Sequence, residues 1–273
     1  MLWGVADFLG GTAARRIPVT TVVGLSQLVA LLGLLPVAAL TGELDAERSY
    51  LLPAAAAGLV GVLALGAFYR ALAIGTMGVV APITSLGVGV PVIAGFWRGE
   101  QPAALELAGI ALTVVGVVLA GGPELAGGGR GGLPALLLAG GAAVGFGFVL
   151  LLVADASASS VVMTLVSMRA VSVLLMAALL VAALARSRAA WRSGVTRRDV
   201  PMIGAIGVSD VTANGAYAVA TGSGLVSVTA VLASLYPVVT VLLARRLHAE
   251  RLRRVQVVGV GVALLGVAMI ALG

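Results

Sequence analysis

A succession of ten long apolar segments, separated by short stretches that hold most of the charge, constrains this chain more than any other feature. A bilayer core about 30 Å thick takes roughly 20 apolar residues per helix. The segments are continuously apolar and lack the alternation of a lipid-facing barrel strand, so they predict helices. We expect an all-α integral membrane protein with about ten transmembrane helices. The segments lie near residues 1–14, 19–41, 51–70, 77–97, 103–121, 133–154, 160–184, 200–220, 224–244 and 255–272.

The composition argues against several other classes of protein. Of the 273 residues, 60% are hydrophobic and 10% charged, and the mean hydropathy of +1.15 is far above that of soluble domains. There is no cysteine and one histidine, His248, so metal and thiol chemistry are not expected. Without lysine the chain cannot carry the G-x-x-x-x-G-K-S/T phosphate loop, and we expect no cofactor. The 17 arginines fall mostly between segments, as topology signals and lipid anchors do, so nucleic acid is not an expected partner.

The first segment, residues 1–14, is too short to span a bilayer. It has no basic region or small-residue cleavage site before it, so it does not have the pattern of a signal peptide. Two interpretations stay open. Either the natural start codon lies upstream, or the first helix is a stub.

Two stretches of sequence recur. Residues 78–92, which include Gly78 and Pro91, resemble residues 224–238 at an offset of 146. Residues 106–117 resemble residues 256–267 at an offset of 150. The two offsets differ by four residues, about one helical turn, because the first copy is shorter after Pro91. The chain therefore holds two copies of one unit.

The copies define the domain organisation. We predict two five-helix repeats, residues 1–122 and 133–273, joined by a glycine-rich linker at residues 123–132. Because five is an odd number, the second repeat is expected to be inverted in the membrane relative to the first. Inverted repeats around a midplane site are typical of secondary transporters.

The eighth segment carries a polar stripe. Asp210, Asn214, Tyr217 and Thr221 are spaced at i, i+4, i+7 and i+11, so they share one helical face. An ionisable group inside a membrane is costly unless it is paired or hydrated, and such groups face the bundle interior or a water-filled cavity. This face is predicted to line a cavity. The alternative is that Asp210 and Asn214 only join helices by hydrogen bonds.

Two further charges lie within apolar segments, Asp7 in the first and Arg169 in the seventh. We expect Arg169 to form an internal ion pair with Asp210 or Asp7, and this pair is a candidate site for a substrate carboxylate or amine. Each residue has an alternative. Asp7 lies near the membrane interface if the first segment is short, and Arg169 reaches that interface if its long side chain extends along the helix.

Aromatic rings and prolines complete the candidate residues. The rings either line the cavity and stack on a substrate, or form an interfacial belt. The prolines interrupt apolar helices, as gate hinges or as static kinks. The rings belong to Trp3, Tyr69 and Tyr217, and the prolines are Pro82, Pro91 and Pro237.

Short motifs, individually weak, follow one another along almost the whole chain: Leu2-Trp3-Gly4, Tyr69-Arg-Ala-Leu72, Pro91, Arg98-Gly-Glu100, Arg169, Tyr217-Ala-Val-Ala220, Pro237, His248-Ala-Glu250-Arg-Leu252 and a terminal helix with Gly259 and Gly266. In order and spacing they resemble the EamA-type members of the drug/metabolite transporter superfamily. The resemblance implies ten helices in two inverted halves, a central cavity, and export or exchange of small metabolites. It also implies an arginine early in the second helix of a repeat, which Arg169 matches, while the matching first-copy position is near Gln27. The shorter first copy and the short first segment depart from the family pattern.

Two observations about the orientation of the chain in the membrane conflict. Fourteen of the 17 arginines lie at the end of an odd-numbered segment or in the loop that follows it. The positive-inside rule then places both termini outside the cell, whereas the family resemblance implies both termini inside. The charge bias is large, so we favour termini outside.

The favoured function is a secondary transporter of small metabolites or drug-like molecules in the cell membrane, working by alternating access and coupled to a proton or a counter-substrate. Its expected partners are a small-molecule substrate and the lipid bilayer, and it is a monomer or homodimer. A membrane-embedded transferase is the first alternative, but the acidic residues are scattered and no D-D-x-x-D motif is present. A non-transporting membrane scaffold is the second, and it would have no hydrated cavity.

Overall fold

The computed structural model describes residues 1–43, 47–97, 103–125, 131–186, 194–223, 229–230, 233, 235–249 and 254–272. Across these residues every regular element is a helix. The motif residues Arg98, Glu100, Glu250 and Leu252 lie outside the described residues. The helices are α1 Leu2–Ala14, α2 Val19–Thr41, α3 Leu51–Ile74, α4 Met77–Ser85, α5 Gly89–Trp97, α6 Ala104–Leu125, α7 Gly132–Ser157, α8 Val161–Arg186, α9 Val200–Ser223, α10 Tyr236–Leu247 and α11 Arg254–Leu272.

The all-helical prediction is confirmed, but two predicted helices are interrupted. The fourth segment divides into α4, a short 3-10 turn at Leu86–Val88, and α5. In the ninth segment the backbone turns at Leu235 before α10 begins. Pro237 lies in the first turn of α10, where its missing N–H removes no hydrogen bond. The ninth segment is therefore interrupted at Leu235, two residues before Pro237.

Another boundary differs from the prediction. The glycine-rich linker was expected from residue 123, but α6 continues to Leu125. Backbone groups near the end of an apolar helix are best satisfied by hydrogen bonds within the helix, so two consecutive glycines do not end it. Helix α7 then begins at Gly132.

The outer faces of the helices are apolar, as expected of a protein surrounded by lipid. Large side chains point outward, including Leu40 at 88% and Leu52 at 81% exposure. Four helical stretches in the described part of the chain are long and apolar enough to cross a membrane: Val19–Thr41, Arg48–Ile74, Gly132–Ser157 and Val161–Ala185.

The two repeats pack closely against each other through small residues. Helix α1 contacts α9 and α10, α2 contacts α8 and α9, and α6 pairs with α11. At Gly109 and Gly116 of α6, an added Cβ would overlap the backbone of α11 around Ala263 and Gly266. Glycines allow backbones in a membrane to approach this closely. The interior walls of both repeats therefore face a common centre.

Candidate functional site

A cavity lies between the two repeats, with about 750 Å³ of empty space when the open solvent at its mouth is included. Its wall includes residues of α1 to α4 from the first repeat and of α7 to α10 from the second. Most of the lining is apolar, and a smaller group of polar and aromatic side chains is concentrated among it. These are Trp3, Asp7, Gln27, Thr84, Ser85, Arg169, Asp210, Asn214 and Tyr236.

A buried ion pair occupies one part of the wall. Arg169 Nη2 lies 3.0 Å from Asp210 Oδ2, and the two side chains are only 3% and 11% exposed. Of the two partners expected for Arg169, the structure therefore has Asp210. The expected internal ion pair is therefore present, and Arg169 does not extend out of the bundle as the alternative would require, because an ionised group is less costly beside an opposite charge.

Two amides complete this cluster. Arg169 Nη1 donates to Gln27 Oε1 at 2.6 Å, and Gln27 Nε2 lies 3.5 Å from Asp210 Oδ2. Asn214 Nδ2 donates to Asp210 Oδ1 at 3.1 Å and to the Asp210 carbonyl at 2.8 Å. Helices α2, α8 and α9 are thus joined by hydrogen bonds around one carboxylate. The cluster both joins helices and lines the cavity, so the two interpretations of Asp210 and Asn214 are compatible.

Gln27 is a site residue that sequence reasoning missed. It is 1% exposed and lies in the middle of α2, where Ser26 is its only polar neighbour within five residues along the chain. One sequence feature could have identified Gln27: an amide side chain within an apolar segment needs a hydrogen-bond partner. It lies near the first-copy position that matches Arg169, but the repeat does not show that the two side chains touch.

Asp7 lies on another part of the wall. It is 6% exposed, and within the described residues no hydrogen bond or ion pair engages its carboxylate. Asp7 is buried in the bundle and faces the cavity, as expected of an internal charged group. Trp3, one helical turn earlier, faces the same cavity. Its ring lies 6.0 Å from Tyr217 and 6.4 Å from Tyr236, centroid to centroid.

Three residues expected on the wall lie elsewhere. Tyr69 is fully buried between α1 and α3, with its ring against Gly10 and its hydroxyl 3.5 Å from the Ala6 carbonyl. Tyr217 lies behind Trp3 and donates to the Leu150 carbonyl at 3.1 Å. Thr221 donates to a carbonyl of its own helix at 2.8 Å.

The geometry of α9 explains the last of these corrections. Thr221 is eleven residues beyond Asp210, which is about 16 Å along a helix at 1.5 Å per residue. The two residues share a face but not a depth, and the cavity reaches only the first two positions of the stripe, Asp210 and Asn214.

The interrupted helices supply further polar groups that were not predicted. Ser85 donates to the carbonyl of Pro82 at 2.7 Å, and Thr84 donates to the carbonyl of Ala81 at 2.8 Å. Thr84 also lies 2.9 Å from the hydroxyl of Tyr236, in the first turn of α10. These side chains satisfy backbone carbonyls where α4 ends, as interrupted helices in membranes require. Pro82 lies inside α4, and Pro91 lies in the first turn of α5.

Polar contacts join the repeats at one end of the cavity. Arg16 Nη2 lies 2.5 Å from Asp199 Oδ1, at the junction between the ends of α1 and the start of α9. The backbone N–H and hydroxyl of Thr196 both donate to Asp199 Oδ2 at 2.8 Å. These hydrogen bonds, followed by the charge of Arg16, hold the pKa of the Asp199 carboxyl below its usual value.

The same end holds the histidine. The hydroxyl of Thr12 donates to the Phe8 carbonyl at 2.7 Å and lies 2.9 Å from His248 Nε2. The guanidinium of Arg15 contacts His248 Nδ1. Both ring nitrogens of His248 therefore have a polar neighbour from the first repeat.

Polar contacts also join the repeats at the opposite end. The hydroxyl of Ser160 donates to the carboxylate of Glu43, which follows α2. The hydroxyls of Ser49 and Ser159 lie 2.6 Å apart. The cavity therefore lies between two sets of contacts, and each set links the first repeat to the second.

Comparisons with known proteins agree with this architecture. A solved crystal structure is similar over 99% of this chain and 95% of its own, with a TM-score of 0.66 and 18% sequence identity, and this shows the fold alone. No curated protein matches the chain. The model of the EamA-like transporter family matches residues 1–122 and again residues 133–272. The predicted family is confirmed: the chain belongs to the EamA-like transporter family, and it is an integral membrane protein.

Proposed function

We propose that this protein is a secondary transporter that exports or exchanges small organic molecules across the cell membrane by alternating access. The observation that carries the proposal is the cavity between the repeats, with charged side chains on its wall. Its wall combines a largely apolar lining with a few polar and charged groups, as sites that bind small molecules do. A protein whose only task was to hold helices together would be better served by a filled interior.

We infer that the two repeats are inverted relative to each other. Five helices in each repeat require it, and one contact supports it. Gln27 lies near the first-copy position that matches Arg169, and the two side chains are hydrogen-bonded at 2.6 Å. Equivalent residues of two copies meet only near the axis that relates those copies. We infer from this contact that the Arg169 cluster lies near the midplane, where the sites of inverted-repeat transporters lie.

Alternating access assigns a role to the contacts at the two ends of the cavity. Arg16 with Asp199 and Arg15 with His248 join the repeats at one end. Glu43 with Ser160 joins them at the other end. Each set breaks when the cavity opens to its side and forms again when it closes. The interrupted fourth helix of each repeat supplies the flexible backbone beside the cavity.

A proton or a counter-substrate drives this cycle. Asp7 and Asp210 are the candidates to carry the proton, because both are carboxyl groups on the cavity wall. Both termini lie outside the cell, as the arginine distribution favours. Reporter fusions after residue 190 test this orientation, and a periplasmic signal there contradicts it.

The absence of cysteine allows a direct test of alternating access. Asn214→Cys places a thiol on the cavity wall, and Val208→Cys places one on the outer face of the same helix, where Val208 is 56% exposed to lipid. A charged, membrane-impermeant thiol reagent should label the Asn214→Cys protein in both right-side-out and inside-out vesicles. It should leave the Val208→Cys protein unlabelled, because thiols react as hydrated thiolates.

The outcome separates a transporter from a scaffold. Labelling of the Asn214→Cys protein from both sides supports an alternately open cavity. Labelling from neither side, in protein that remains monodisperse, contradicts the transporter and favours a closed scaffold.

A further inference from the structure

The charges on the cavity wall do not balance. Three acidic or basic side chains line the cavity: Asp7, Arg169 and Asp210. Arg169 and Asp210 neutralise each other at 3.0 Å. Asp7 remains, with no hydrogen bond or ion pair to any residue that the structure describes. The empty cavity therefore presents one uncompensated carboxyl group.

Arg169 is poorly placed to bind a substrate anion. Its Nη1 donates to Gln27 and its Nη2 forms the ion pair with Asp210, while Nη2 and Nε are both enclosed by protein and have no hydrogen-bond acceptor among the described residues. A substrate carboxylate would have to displace Asp210 and leave that group buried and unpaired, which is strongly unfavourable. A ligand that binds the Asp7 carboxylate displaces no partner of that group among the described residues.

The surroundings of Asp7 suit a cation with an apolar body. Trp3 lies one turn away on the same helix, and its ring packs edge-on against Tyr236 with 6.4 Å between centroids. Both rings line the cavity, and aromatic faces attract cations when water is excluded. The remaining wall is largely apolar, including Leu65, Phe146 and further aliphatic side chains.

We propose, building on the transporter function above, that Asp7 is the anchor of a binding site for an organic monocation, an amine or quaternary ammonium. The positive group lies between the Asp7 carboxylate and the ring of Trp3, and the apolar body fills the rest of the cavity. A monocation neutralises the charge of the Asp7 carboxylate on the cavity wall. An anion adds a second negative charge, and a zwitterion leaves its own carboxylate without a partner, so both bind less tightly.

Trp3 provides the readout. Two other tryptophans are present: Trp97 is 89% exposed at the end of α5, and Trp191 lies outside the described residues. Replacing both by phenylalanine leaves Trp3 as the single reporter on the cavity wall. Three ligands of similar size are titrated into this purified protein: benzyltrimethylammonium, 3-phenylpropanoate and phenylalanine. They present a cation, an anion and a zwitterion on a similar aromatic body.

The cation should change the emission of Trp3 saturably, and the other two ligands should not. Asp7→Asn should raise the dissociation constant of benzyltrimethylammonium by about thirtyfold or more, the low end of what loss of one member of a buried charge pair costs. Asp155→Asn, the same chemical change in α7 outside the cavity lining, should change it by less than about twofold, since surface substitutions away from a site have small effects. Asp7→Glu, which keeps the charge, should retain binding and guards against a folding defect in Asp7→Asn.

Two results overturn the proposal while leaving the transporter function intact. One is cation binding that Asp7→Asn does not weaken. The other is binding of the anion or zwitterion in preference to the cation, with loss of that binding in Arg169→Gln. If none of the three ligands binds but the Asn214→Cys protein is labelled from both sides, the monocation site is also wrong and the transporter stands.

Discussion

The ion pair between Arg169 and Asp210 allows a quantitative prediction. Two unit charges separated by the observed 3.0 Å attract by about 5.5 kcal/mol at an effective dielectric constant of roughly 20. Desolvation offsets part of that attraction in the native protein. Removal of one partner leaves the other charge buried and unpaired, and such truncations cost about 3 to 5 kcal/mol. Native proteins are stable by only about 5 to 15 kcal/mol, so the effect is large.

The perturbation is a cycle of three variants: Asp210→Asn, Arg169→Gln, and both together. Each single variant should lower the free energy of unfolding by about 3 kcal/mol or more, because each leaves an unpaired charge with side-chain exposure of 11% or less. The double variant removes both charges and should recover much of this loss, with a coupling energy of about 2 kcal/mol or more.

Unfolding by SDS in mixed micelles, followed by circular dichroism, measures these free energies. Asp155→Asn is the matched control, since it removes an acidic group from α7 outside the cavity. The electrostatic argument is refuted if Asp210→Asn lies within about 1 kcal/mol of the parent protein, or if the two single losses simply add in the double variant.

Two further predictions concern the packing and the ends of the bundle. Gly116→Val should destabilise the protein by about 3 kcal/mol, because its Cβ would overlap the backbone of α11, whereas Gly261→Ala, with no atom near its Cβ, should be neutral in the same SDS titration. Asp199 is stabilised in its ionised form by Thr196 and Arg16, which lowers its pKa on folding. Its contribution is therefore present at neutral pH and is lost as the pH falls below about 4. Asp199→Asn should reduce the loss of thermal stability that the protein shows at acidic pH. An unchanged loss would contradict the contribution of the Asp199 carboxylate.

The sequence was sufficient for the elements of this protein because hydrocarbon imposes a local rule. A backbone in lipid must satisfy its own hydrogen bonds, so each apolar run of sufficient length becomes a helix, and the predicted segments agree with the helices to within a few residues at most ends. The same solvent argument identified Asp7, Arg169 and Asp210 as interior groups, and all three line the cavity. Local spacing also placed Asn214 on the face of Asp210, one turn away.

The tertiary structure decided which of these groups meet. Helical periodicity gives the face of a side chain but neither its depth nor its neighbour on another helix. For that reason the sequence left two partners open for Arg169, placed Thr221 and Tyr69 on the wall, and missed Gln27 and the polar groups where α4 ends. The balance of charge in the cavity is likewise a property of distances across helices: Asp210 has a guanidinium at 3.0 Å, and Asp7 has none in the described part of the chain. Pairing of buried charges depends on contacts between residues far apart in sequence, which a linear pattern does not encode.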